Sequence, residues 1–115
     1  MTSLTVSAAS QVDVANVSTT GAIALTGTNI DVNGTAYNSQ DGSITFTGAV
    51  DLIGAGITVD SDSDDDGTDG NITFTSTIDG GQSLTLDADT GTVGVTGARW
   101  QYGVDELDGE CGVAG

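Results

Sequence analysis

The sequence predicts an all-β chain wound as a parallel β-solenoid of about five short rungs, and three observations carry that prediction. A strand motif recurs, apolar residues alternate inside each copy, and turn-forming residues separate the copies. The motif starts as SLTV at Ser3, AIALT at Ala22, SITFT at Ser43, NITFT at Asn71 and TVGVT at Thr92, in steps of 19, 21, 28 and 21 residues. A second set interleaves with it: QVDV from Gln11, NIDV from Asn29, GITV from Gly56 and SLTL from Ser83, which gives each rung two expected strands. A unit of about 20 residues cannot bury its own apolar face and must be covered by its neighbours. The alternative, an antiparallel β-sandwich, also uses short strands and turns but gives no reason for the motif itself to be kept.

Within the strands, Ile44 and Phe46, Ile57 and Val59, Ile72 and Phe74, and Leu84 and Leu86 fall on alternate positions, so each pair faces one side. Stacking at the strand spacing of about 4.8 Å places Ile23, Ile44, Ile72 and Val93 in one interior column and Leu25, Phe46, Phe74 and Val95 in the next. Gly, Asn, Asp and Ser between the strands supply the bends. The step of 28 carries seven residues more than its neighbours, and the excess falls on DSDSDDDGTDG from Asp60 to Gly70, an expected loop outside the stack. Residues 1–98 thus form the expected repeat domain, with its acidic insert at 60–70. From Ala98 the alternation breaks, and 99–115 is expected to be a C-terminal cap or tail in which Trp100 and Tyr102 cover the last rung.

Charge excludes several functions. Seventeen acids face one base, Arg99, with no Lys and no His, for a net charge of −16. Nothing can neutralise phosphates, so neither a nucleic acid nor an anionic membrane surface is an expected partner. The chain lacks the side chain that most often serves as a general base near neutrality, and Cys111 alone cannot form an internal disulfide. No run approaches the ~20 apolar residues of a membrane span. The start MTSLTVSAAS lacks the basic and apolar regions of a signal peptide, so an exported protein would be present here in its mature part.

The alternation of NITFTSTIDGGQSLTLDADTGTVGVTGA from Asn71 to Ala98 resembles the β-strand repeats of very large bacterial surface proteins, of the filamentous-haemagglutinin and autotransporter-adhesin kind. The likeness spans roughly residues 3 to 98. It implies a right-handed, β-helix-like parallel solenoid, an extracellular or cell-surface location, and a structural or adhesive role without catalysis, with a cell-surface glycan as a partner.

The acidic insert is the first candidate site. Asp62, Asp64 and Asp66 followed by Gly67 match the opening of a calcium loop, in which alternate carboxylates converge on a hard cation. The twelfth position counted from Asp62 is Thr73, inside a strand, so an EF-hand is rejected; the expected Ca2+ site is a shorter loop completed by Asp60, Asp65 or Asp69. A column of Asn33, Asp60 and Asp87 is expected beside it, from two equal steps of 27. Thr45 with Thr47 and Thr73 with Thr75 form the T-x-T pairs of ice-binding arrays, but Ala24 and Gly94 break the array on both sides. Asn16, Asn33 and Asn71 begin glycosylation sequons. Arg99 beside the Asp loop is a poor basis for cleaving acidic polysaccharides, since an acidic surface repels them. Leu4, Thr5 and Val6 form an edge strand with no charge before Asp13, an expected site of axial stacking into homo-oligomers or filaments. The function expected is therefore a non-enzymatic, self-associating, calcium-binding structural module. The alternative is a calcium-dependent module that binds carbohydrate or processes polysaccharide.

Overall fold

The computed structural model describes residues 1–64, 70–80 and 84–95, together with the backbone of a strand at Val104–Val113. All the paired strands run parallel, which rejects the sandwich. Among the described residues there is no helix.

Each turn of the solenoid has three faces. The first rung consists of β1 (Leu4–Ser7), β2 (Gln11–Val14) and β3 (Val17–Thr19); the second of β4 (Ile23–Val32), which bends across two faces, and β5 (Ala36–Ser39). The third repeats this with β6 (Ile44–Leu52) and β7 (Ile57–Asp60). The fourth uses β8 (Ile72–Phe74), β9 (Ile78–Asp79) and the start of β10 (Leu84–Val95). The end of β10 and β11 (Val104–Val113) lie beyond these four turns. Because β4, β6 and β10 each turn a corner without losing their ladders, the three faces join into one eleven-stranded sheet.

The expected interior columns are present. Ile23, Ile44, Ile72 and Val93 are in register, as are Leu25, Phe46, Phe74 and Val95, and all eight are buried. Phe46 and Phe74 stack with ring centroids 4.6 Å apart and planes 2° from parallel, as equivalent side chains one strand spacing apart must. Tyr37 meets Phe46 edge-on at 6.4 Å. Its hydroxyl donates to the Val14 carbonyl and accepts from the Gly34 N–H at 2.9 Å, so this buried phenol is hydrogen-bonded on both sides.

Two strands per rung is corrected to three. QVDV and NIDV belong to the second face, whereas GITV and SLTL belong to the third. The second face continues instead through Ala49–Leu52 and Ile78–Asp79. The segment 99–115, expected as a cap or tail, contains β11, whose backbone adds a parallel strand along β10. Trp100 and Tyr102 lie outside the described residues.

Glycine holds the corners for a steric reason. Gly21, Gly42, Gly70 and Gly91 each stand two residues before the first inward side chain of the first face. A Cβ on Gly70 would lie 2.2 Å from the Gly42 carbonyl oxygen, and one on Gly91 would lie 2.2 Å from that of Gly70. The missing side chain is thus aimed at the preceding rung, which occupies its space.

Candidate functional site

The acidic insert begins and ends at one corner, and that corner explains how the fold tolerates it. In rung after rung, a buried hydroxyl at the end of the third face donates to a corner carbonyl: Thr19 to Gly21 at 2.6 Å, Ser39 to Gly42, and Ser61 to Gly70 at 2.8 Å. The Gly70 N–H returns a bond to the Ser61 carbonyl at 3.1 Å, and Ser61 N–H is held by the Asp87 carbonyl at 3.0 Å. Residues 62–69 therefore replace the two residues Gln40 and Asp41 of the rung before, on an unchanged neck.

Of the expected calcium ligands, Asp60 and Asp62 come together. The Asp62 N–H donates to Asp60 Oδ1 at 3.0 Å, and the Asp62 residue is 2% exposed. Asp64 is exposed, and Asp65, Asp66 and Asp69 lie outside the described residues. Among the described residues no three carboxylates are grouped to hold a metal ion.

The expected column is corrected at one member. Asp60 pairs with Asp87 on one side and with Asn38, not Asn33, on the other, and Asp87 continues to Asp108. Asn33 instead follows β4 at the next corner, where its amide donates to Asp13. A second carboxylate column escaped the sequence: Asp13, Asp31, Asp51 and Asp79 are in register on the second face. Amides stand between them. Asn29 Nδ2 donates to Asp31 Oδ1 at 2.9 Å and to Asp51 Oδ2 at 3.0 Å, and Gln11 Nε2 donates to Asp31. The dipeptide Val-Asp or Ile-Asp recurs along this face at 12, 30, 50 and 78, although Val59-Asp60 repeats it on the third face.

The sequon asparagines serve the stack. Asn16 Oδ1 accepts from the N–H groups of Thr35 at 2.7 Å and Ala36 at 3.2 Å, and Asn71 Oδ1 accepts from Thr92 N–H at 2.9 Å. Thr5, Ala24, Thr45, Thr73 and Gly94 form one column, so the threonine array is broken where the sequence breaks it.

At the expected assembly edge, Leu4 and Val6 are half-buried and Thr5 is exposed. The N–H groups of Leu4 and Ala8 donate into the second rung, at 3.1 Å to Ala22 and 2.9 Å to Thr26. Backbone groups alternate sides along a strand, so those of Thr5 and Ser7 point away from the body. The described residues enclose no pocket, and Arg99 lies outside them. Comparison with known proteins finds no matching family, no matching curated protein and no matching solved structure.

Proposed function

We propose that this chain is a non-enzymatic structural module of the cell surface or extracellular space that associates with further copies through its first rung. One observation carries the reading. Leu4, Val6 and Val14 are half-buried, whereas Ile23, Leu25 and Val32, their partners one rung in, are 1%, 0% and 2% exposed. The end of the apolar column is therefore left partly uncovered, next to strand groups that point away from the body. An open strand edge with apolar side chains beside it recruits another strand unless charge or a cap prevents it. The flat faces of hydroxyls and carboxylates, and the likeness to surface-protein strand repeats, support the same reading. Light scattering across a salt series tests it: association should increase as salt screens the charge of −16, and Thr5→Lys should suppress it. A chain that stays monomeric throughout rejects the proposal.

A second reading, calcium held by the insert, is favoured by the burial of Asp62 beside Asp60. A ligand at a hundredfold its dissociation constant adds about 2.7 kcal/mol, which in a domain of this size raises the melting temperature by about 10 °C. The triple substitution Asp62→Asn, Asp64→Asn and Asp66→Asn should abolish that rise. Identical melts with calcium and with chelator in the unsubstituted protein reject calcium binding.

A further inference from the structure

The corner glycines give the stack a direction. Gly21 approaches the Thr2 carbonyl, Gly27 that of Ser10, Gly48 that of Gly27, Gly54 that of Gly34 and Gly80 that of Leu52, and in each case a Cβ would lie 2.9 Å or less from the oxygen of the rung before. Real Cβ atoms do not approach so closely, so at the corner before the first face, where Gly21, Gly42, Gly70 and Gly91 recur, a rung stacks on the one before it only with glycine; the corner between the first two faces is less strict, since Ser76 holds the register position of Gly48. The first rung has none: the first glycine of the chain is Gly21. In the register of Leu4 with Ile23, the position held by Gly21 in the second rung falls on Thr2 in the first. The far end differs, because Cys111 is in register with Val93 and the position two residues before it is Gly109, which continues the glycine series.

Resting on the self-association proposed above, we infer that two copies meet head to head, β1 against β1 about a two-fold axis, and that the assembly closes as a dimer instead of growing as a filament. Head-to-tail growth would place the first rung of one copy beneath β11 of another, at the spacing and in the parallel register used inside the molecule. Thr2 would then carry a Cβ, and a larger side chain beyond it, into the backbone above. An antiparallel pair needs only the β1 edges. Thr5 and Ser7 of each copy supply the free N–H and C=O groups, while Leu4 and Val6 cover those of the partner. The pairing is isologous, so the same patch serves both copies, and the edges left over are the two β11 strands, whose acidic sequences repel one another.

Charge agrees with this geometry. No charged side chain precedes Asp13, whereas Asp105, Glu106, Asp108 and Glu110 follow one another in the sequence of β11. Contact through β1 joins strands without a charged side chain and keeps the acidic β11 ends of two copies, each of net charge −16, apart.

The test uses the full chain in about 0.5 M salt, where the Debye length is only a few ångströms. Sedimentation velocity over a concentration series should show monomer and one species of twice 11.3 kDa, with nothing larger. A variant with Thr5→Cys and Ser7→Cys, with Cys111→Ser to remove the native thiol, should form a disulfide-linked dimer under mild oxidation. Cysteines confined to the first rung cannot meet in a head-to-tail stack. An open series of oligomers without cross-linked dimer overturns the head-to-head inference and leaves self-association standing. Monomer at every concentration overturns both. Positions 5 and 7 are solvent-facing, and the mass distribution of the unsubstituted chain separates the outcomes independently of the variant.

Discussion

At position 72 a side chain points into a fully buried column, and at position 73 the next one points out. Ile72 is 0% exposed between Ile44 and Val93, while Thr73 is half-buried between Thr45 and Gly94. Ile72→Asp buries a carboxylate without a partner and should cost several kcal/mol, whereas Thr73→Asp should cost about 1 kcal/mol or less. Urea midpoints compare the two directly, and equal midpoints would contradict the register. Tyr37 makes a second residue-level case, this time through pH. Burial pushes its phenol above the ordinary tyrosine value of about 10, aided by the Asp13 carboxylate and opposed by hydrogen bonds to the backbone at Gly34 and Asn33. The folded chain keeps that proton where the unfolded chain has lost it. Its contribution is therefore fully present below about pH 10 and is lost as pH rises from the unfolded value through the folded one. Tyr37→Phe should be less stable at neutral pH by about 1–3 kcal/mol, because Gly34 N–H loses its partner and the Val14 carbonyl keeps only the Asn33 N–H. The same variant should show a shallower loss of stability above pH 10 when unfolding free energies are followed from pH 8 to 11.

Among the elements, the insert and the corners show what a rung requires. Ser61 and Gly70 close the neck as Ser39 and Gly42 do, with residues 62–69 between them in the sequence. Replacing residues 62–69 by Gln-Asp, the pair that joins Ser39 to Gly42, should leave the fold intact and shift the melting temperature by a few degrees at most, as circular dichroism can follow. Lost β-signal would show that the insert holds the fourth rung in place. The first face was legible in the sequence because its inward residues are large and branched, and because the residue two positions before them is always glycine from Gly21 onward. The second and third faces were confused because their strands are only two to four residues deep and the corners vary: Gly27 and Thr28 bridge one, Gly48 alone the next. Alternation over four residues gives an inside and an outside but no address around the turn. The outward Asp after Val12, Ile30, Val50 and Ile78 marks the second face, but Val59-Asp60 repeats the dipeptide on the third, so the strand sequences alone do not separate Asn33 from the column of Asp60. The calcium set was legible only as composition; the pairing of Asp62 N–H with Asp60 depends on a corner whose geometry is set by Ser61 and Gly70.

The whole molecule must hold its parallel stack together against its own charge. In-register pairing sets Asp13, Asp31, Asp51 and Asp79 on one face and Asp60, Asp87 and Asp108 on another, each one strand spacing from the next. Two unit charges at ~4.8 Å repel by about 0.9 kcal/mol in water, and more where protein replaces part of the solvent. Unfolding lets these pairs separate, so the repulsion acts against the native state alone. The amides of Gln11, Asn29 and Asn33 offset part of it by donating to carboxylates of the same rung and of neighbouring rungs. Their partial charges cannot cancel full ones, and Arg99 is the only base among 115 residues. Added salt is the remaining screen: the Debye length falls from about 30 Å at 0.01 M to about 8 Å at 0.15 M. The melting temperature should therefore rise by several degrees over that range, with sodium chloride alone, and the rise should be largest at the low end. The double substitution Asp31→Asn and Asp51→Asn removes the two central charges of one column while keeping side chains of the same shape. It should raise the melting temperature in 0.01 M salt and flatten the salt dependence. A variant no more stable than the parent at low salt would mean that the amide bonds to Asp31 and Asp51 outweigh the repulsion, and that the column holds the second face together instead of straining it.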